Sequence, residues 1–458
     1  MKQIIVNIVM CLVAVPMFSQ VTAPLTHREG QGEGLLSLQQ LKDSALQNNI
    51  AIRHAKHAVD AAQQQRKEAF TKYFPNVSGT GFWFNANKGM AQTELNLSEQ
   101  ISPELGMTLA QMLPAEALAA LGSPISISML KNGTIAGINA VQPIFAGGQI
   151  INGNKLAKVG EDVSRLQLQL SENEVEKQTE QYYWQLVSLQ EKMKTIEAVQ
   201  ALLADIYKDV DVAVRAGVAM RNDLLQVQLR QNEVESQKLK VQNGISIVRL
   251  LLAQYCGLSN DSFAVSVCDG FAVTSTQQDH QQALLQTAEY QLLNKQVEAT
   301  KLQRKMEIGK NLPMVGVGAG YNYHNLLDND RTFGMVFATV SVPISDWWGG
   351  SHAIKRKKIA QQQAEEQLAD NSELLKIRMQ NAWNGVQESY QQLLLAQRGI
   401  EQAEENLRLN RDYYKAGTSK MGDLLEAQLL YQQSLDRRTD AFADYQNKLL
   451  EYRQATGQ

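Results

Sequence analysis

Proline is scarce and unevenly placed. The 458 residues hold nine, at 16, 24, 75, 103, 114, 124, 143, 313 and 343. None lies between Pro143 and Pro313, and none follows Pro343. Proline breaks helix interiors, so these two tracts are free to be long helices. Charge of one sign is also missing: 44 Lys and Arg against 47 Asp and Glu give a net charge of −3. Phosphate backbones need a basic surplus or stripe, so no nucleic-acid partner is expected. Past the N-terminus no apolar run approaches the roughly 20 residues of a spanning helix. With a mean hydropathy of −0.29, this excludes a helical membrane protein. The sequence has no Walker A loop, no HExxH and no GxSxG, so no catalytic residue, cofactor or enzyme activity is expected. His54 and His57 lack a third ligand nearby, so no metal site is expected either.

The first residues read as a secretory signal, 1–19. Lys2 supplies the positive end, Ile4 to Phe18 the apolar stretch, and Ser19 the small residue before the cut. Residues 20–34 are then an N-terminal tail. Export exposes Cys256 and Cys268 to an oxidising compartment. They are candidates for a disulfide closing a short loop, and equally for two thiols packed in a loop region.

What is present is a duplication. RAGVAMRNDLLQVQL around Arg215 matches KAGTSKMGDLLEAQL around Lys415. Gly217 pairs with Gly417, Asp223 with Asp423, Gln228 with Gln428, Gln254 with Gln454 and Gly257 with Gly457, always 200 residues apart. Pro143-Ile144 and Pro343-Ile344 keep that offset. The proline-free tracts are rich in Ala, Leu, Gln, Glu, Lys and Arg, which favour helix. Leu186, Leu189, Met193, Ile196, Val199, Leu203, Ile206 and Val210 recur at steps of three and four. Val386, Leu393, Ile400, Leu407 and Tyr414 recur every seven, as in helices packed side by side. Ala-Gly at 216–217 and 416–417 suits a helix stop. Asp223 and Asp423 then open returning helices at their positive ends. The expected plan is repeat 1 over 35–257, with strands 76–85 and 133–142 and a long hairpin over 148–256. An inter-repeat segment covers 258–276. Repeat 2 covers 277–458, with strands 314–323 and 332–342 and a hairpin over 350–457.

Before each hairpin the pattern switches to period two. Val315, Val317, Ala319, Tyr321 and Tyr323 alternate with Gly316, Gly318, Gly320 and Asn322, an apolar face for lipid and a small polar face for a lumen. Phe82, Trp83, Phe84, Tyr321, Tyr323, Trp347 and Trp348 are candidates for interfacial aromatic girdles. The surplus between Met90 and Lys131 reads as an enlarged loop, with Ala115 to Leu121 helical in character. Four strands of about ten residues span a bilayer but cannot close a barrel of even about eight strands. Open edges are not tolerated in lipid, so the chain is expected to oligomerise. Lys355-Arg356-Lys357-Lys358, after the last strand, suits lipid headgroups or a solvated helix face.

The opening helix, with Leu41, Ala45, Leu46, Asn49 and the closing Pro75, resembles that of the TolC-like outer-membrane efflux family. Leu312-Pro313 closes the matching half, and the Gly-x(5)-Asp-Leu-Leu tips resemble that family's periplasmic hairpin tips. The likeness spans essentially the mature chain. It implies a mainly α fold with a β-barrel portion: a homotrimer, each copy lending four strands to a 12-stranded outer-membrane barrel, with the helical hairpins forming a periplasmic α-barrel. It implies a passive duct of a tripartite efflux or type I secretion system, served by a periplasmic adaptor (membrane fusion) protein and an inner-membrane transporter. It also implies roles. Asp423 and Glu426 ring the tunnel mouth. Tyr414 ties the second hairpin to Asp223 of the first. Gly217, Val218, Gly417 and Thr418 touch the adaptor. Ser419 stands where the family can carry a basic residue, which leaves an ionic latch there unsupported. A periplasmic adaptor would show one hairpin, not two equivalent halves, and a plain coiled-coil protein would lack the alternating strand.

Overall fold

The computed structural model describes residues 35–87, 91–95, 112, 114, 125–129, 131–259, 263–265, 276–326 and 329–457. The signal segment, the tail at 20–34, the 115–121 stretch and Cys268 lie outside the described residues, as does most of 258–276. In chain order the elements are β1 (Leu35–Leu36), α1 (Leu38–Asn48), α2 (Ile50–Thr71), β2 (Asn76–Asn85), β3 (Ala91–Leu95), β4 (Ile125–Met129), β5 (Asn132–Ala146), α3 (Gln149–Arg215) and α4 (Arg221–Cys256). Then follow β6 (Ala264–Val265), α5 (His280–Gln286), α6 (Ala288–Lys310), β7 (Met314–Leu326), β8 (Asn329–Ser341), α7 (Asp346–Lys415) and α8 (Met421–Ala455).

The helical part rests on two rods. α3 has 67 residues and α7 has 70, so each is about 100 Å long. Each ends at a glycine and returns as a shorter antiparallel helix, α4 or α8. The three-and-four stripe of α3 is what the rods bury. Ile196, Val199, Leu203, Ile206 and Val210 pack with Val227 and Val234 of α4 and with Met421 and Leu424 of α8. A second cluster, at the level where α1 joins α4, gathers Leu41, Ala45, Ile52, Tyr183, Trp184, Leu186, Leu252 and Cys256. Ser37 opens α1 with a reciprocal capping box to Gln40. Asn49 caps α2 through Ala51 N–H at 2.8 Å and donates to Tyr255 O at 3.1 Å, fixing the α1–α2 joint on the end of α4. Lys42 and Trp184 both engage the buried Glu180, which keeps that carboxylate paired inside the cluster.

The sheet is antiparallel, with strand order β2-β5-β7-β8. β5 therefore joins β2 of its own repeat to β7 of the other. Several boundaries differ from the sequence expectation. β5 runs to Ala146 rather than 142, passing through Pro143 by a register shift between Pro143 and Phe145. Proline gives the ladder no N–H, and a bulge absorbs that loss. β7 and β8 reach closer to their turn, because Asn329 and Asp330 pair with Leu326 and Asn325 instead of lying in a loop. α7 starts at Asp346, ahead of Gly349-Gly350. Trp347 donates to Asn311 O at 2.9 Å, and Gly350 lies so close to the Asn311 amide that no Cβ would fit. Within the 90–131 surplus, β3 and β4 pair antiparallel as a separate two-stranded sheet. The alternation Ile-Ser-Ile-Ser-Met at 125–129 could have revealed it.

The register sorts the sheet into two unlike faces. One carries Val77, Trp83, Ile138, Val317, Tyr321, Val336 and Val340, all exposed. On this face an added Cβ at Gly79 or Gly81 would meet nothing within 4 Å. The other face is crowded. A Cβ at Gly318 would strike the Phe337 ring, one at Gly320 the Asn139 side chain, and one at Gly137 the Asn322 side chain. The crowding comes from direct cross-strand neighbours that lie over the glycines. Phe82 and Phe84 belong to the crowded face, stacked at 5.8 Å. This corrects their grouping with Trp83, because alternation sends the residues on either side of Trp83 to the opposite face.

Candidate functional site

The two hairpin tips have the same backbone. In the first, Val218 N–H reaches Ala213 O at 2.9 Å and Gly217 N–H reaches Val214 O at 3.0 Å. In the second, Thr418 N–H reaches Tyr413 O at 2.9 Å and Gly417 N–H reaches Tyr414 O at 3.0 Å. Both are Schellman stops, which place a residue in the left-handed region. Gly217 has φ 76° and Gly417 φ 73°. A turn later, Met220 N–H donates to Asp223 Oδ2 at 3.1 Å and Lys420 N–H to Asp423 Oδ2 at 3.1 Å. Each aspartate thus holds the first turn of its returning helix through one oxygen.

The side chains then diverge. Asp223 and Tyr414 line one groove of about 840 Å³ between the tips, with Val210, Arg411, Ser419 and Met421. Burial first, and then the Asp223 charge, hold the Tyr414 phenol above the usual tyrosine range. It stays protonated and able to donate. Asp423 and Glu426 are exposed and do not line this groove. They lie three apart on α8, on one helix face. Val218 and Met220 are 80% and 74% exposed. Gly217, Gly417 and Thr418 are exposed as well, and the Thr418 hydroxyl donates to Tyr413 O at 3.0 Å.

One residue of this region was missed in the sequence. Arg230 of α4 is 7% exposed. It donates to Gln428 Oε1 at 3.0 Å and Gln432 Oε1 at 2.9 Å, both on α8, and to Glu233 Oε2 at 3.0 Å. Gln432 passes the network on to Gln237 Oε1 at 2.8 Å. A buried guanidinium thus ties the two returning helices together above the tips. Its duplication mate is Leu430. A basic residue standing where the repeat has leucine was the available signal.

Cys256 is buried and a free thiol. Burial pushes it up to about 12, so it stays a protonated apolar group. His54 and His57 are exposed. Among the described residues no cluster of His, Cys, Asp and Glu could hold a metal ion, and no helix is long and apolar enough to cross a membrane.

The family model for outer membrane efflux proteins matches residues 41–258 and 280–458, both halves of the duplication. The chain belongs to the outer membrane efflux protein family. This efflux protein is thus an outer-membrane channel protein and not an enzyme. Solved structures share its fold. The outer membrane protein VceC of Vibrio cholerae superposes with a TM-score of 0.71 at 16% identity, over 92% of this chain and 96% of that one. The outer membrane channel CmeC of Campylobacter jejuni gives 0.72 at 15%, over 92% and 85%. CusC, described as forming a transmembrane channel, gives 0.76 at 15%, over 95% and 96%. No curated protein matches the sequence.

Proposed function

We propose that this efflux protein is one third of a passive export duct. Three copies close their sheets into one 12-stranded barrel, and their hairpins form the tunnel that continues into the periplasm. The observation that carries this reading is the sheet. β2 and β8 are its two end strands, and a sheet edge in hydrocarbon has no water to satisfy its amides. Four strands cannot curl onto themselves, so β8 of one copy must meet β2 of the next. The exposed apolar face then meets lipid and the crowded face meets the lumen. Phe70, Tyr73, Phe74, Trp347 and Trp348, exposed where helices meet sheet, fit the periplasmic girdle.

At the far end, the tips form the mouth. Asp423 and Glu426 stand exposed near the start of α8, so three copies would concentrate six carboxylates and favour cations. Tyr414 beside Asp223 holds the second hairpin against the first. The stops at Gly217-Val218 and Gly417-Thr418 are where a periplasmic adaptor would dock, linking the duct to an inner-membrane transporter that supplies the energy.

Single-channel conductance in planar bilayers tests this. The wild-type oligomer should give a small cation-selective conductance, blocked by a trivalent cation. Asp423→Ala should weaken that block. An unaltered block would remove Asp423 from the mouth. A folded, detergent-extracted protein that runs as a monomer would overturn the duct.

A further inference from the structure

The crowded face of the sheet is not uniform, and this has a consequence for what crosses the duct. Its two central strands present mostly small and polar groups, Gly137 and Asn139 on β5 and Gly318, Gly320 and Asn322 on β7, with Ile135 and Val141 of β5 and Leu326 of β7 as the apolar exceptions. Its two end strands do not. β2 puts Phe82 and Phe84 on this face. β8 puts Phe333, Met335 and Phe337 there, registered with Asn322, Gly320 and Gly318. Phe82 is 62% exposed, Phe333 45% and Met335 41%. Large apolar groups standing in water inside a narrow space need a reason, because most side chains on a lumen face are polar.

We propose that the barrel lumen carries three aromatic panels, one at each seam between copies, which narrow it and give planar apolar solutes a surface to slide along. The inference rests on the trimeric duct reading. Closing the barrel brings β8 of one copy beside β2 of the next, on the same face. Phe333, Met335 and Phe337 then neighbour Phe82 and Phe84 across each seam, and the Gly- and Asn-rich central strands separate the three panels. The occupant is a solute with an aromatic or other flat apolar surface and a charged or polar remainder. Ring faces attract such a surface without directional hydrogen bonds, so contact is weak, repeated and compatible with transit. An apolar constriction also resists wetting, which lowers the small-ion current.

The probe is tetraphenylphosphonium, a bulky aromatic cation, applied to reconstituted wild type, Phe82→Ser, Phe333→Ser and the lipid-face control Val336→Ser. Conductance should rise in both phenylalanine variants, and block by the probe should weaken roughly two- to tenfold at each, while Val336→Ser leaves block unchanged. Equal block in all four channels would overturn the panels and leave the duct intact. A second measurement does not need current. In a Cys256→Ser, Cys268→Ser background, Phe333→Cys carrying an environment-sensitive label should be quenched by iodide and not by nitroxide lipids. Quenching by the lipid nitroxide would put β8 the other way round and overturn the proposal whether or not the protein conducts.

Discussion

The two hairpin tips share a backbone and differ in nearly everything that faces outward. Both use a Schellman stop with glycine at positive φ, and both hold the next helix by an aspartate reaching back to a backbone amide. Yet Asp223 is half-buried in the groove with Tyr414, while Asp423 stands exposed with Glu426. Gln226 takes the place of the second acid in the first tip. Arg230 reaches across to the second hairpin, and Leu430 does not reach back. Duplication preserved what the chain needs in order to turn, because any departure there costs backbone energy. It left free what each tip meets, because the two tips face different surroundings.

The largest effect should come from the asymmetric tie. Arg230→Met leaves the Gln428 and Gln432 amide oxygens buried without a donor and should cost about 1–3 kcal/mol. Leu430→Met should cost under about 1.5 kcal/mol. Urea midpoints of the detergent-solubilised protein give both, and equal losses would mean that the two returning helices are not held unequally. The glycines should behave alike. Gly217→Ala and Gly417→Ala meet no neighbour within 4 Å, so the cost is conformational alone, about 1–2 kcal/mol at each. Hydrogen exchange over 213–223 and 413–423 would show it, and a twofold gap between the sites would mean that one stop is loaded by packing.

The aspartates should part in stability and in transport. Asp223→Ala and Asp423→Ala each lose one charge-assisted cap bond, on the order of 1 kcal/mol, and Asp223→Ala also loses its place beside Tyr414, while only Asp423→Ala should reduce cation selectivity in bilayers. Loss of selectivity in both would place Asp223 on the lumen too. A pH-dependent effect separates the far ends of the hairpins, where Cys256 has Thr456 as its mate. The buried thiol is raised from the usual 9.0 to about 12. The folded chain keeps a proton that the unfolded chain releases, so this stability is complete below pH 9 and is lost as pH climbs toward 12. Cys256→Ala should flatten that alkaline decline relative to wild type in chemical denaturation between pH 8.5 and 10.5. An unchanged slope would mean that the thiol ionises freely in the fold.

Much of this architecture was legible in the amino-acid order. The duplication, the proline-free rods, the glycine stops and the period-two segments are each a local rule written at fixed spacing, and local rules need no partner to act. The stripe of Ile196, Val199, Leu203, Ile206 and Val210 named its own buried side. By itself the sequence determined that there would be two long hairpins, four strands and paired turns. Only the tertiary structure decided three further matters. It put β5 beside β7, which joins the repeats through one sheet. It sent Phe82 and Phe84 to the crowded face, since a run of three aromatics does not say which side is which until a register is fixed. It brought Arg230 onto Gln428 and Gln432, nearly two hundred residues away. These depend on how separate elements meet, and pairing energies between distant segments are set by shape and burial that no local pattern encodes.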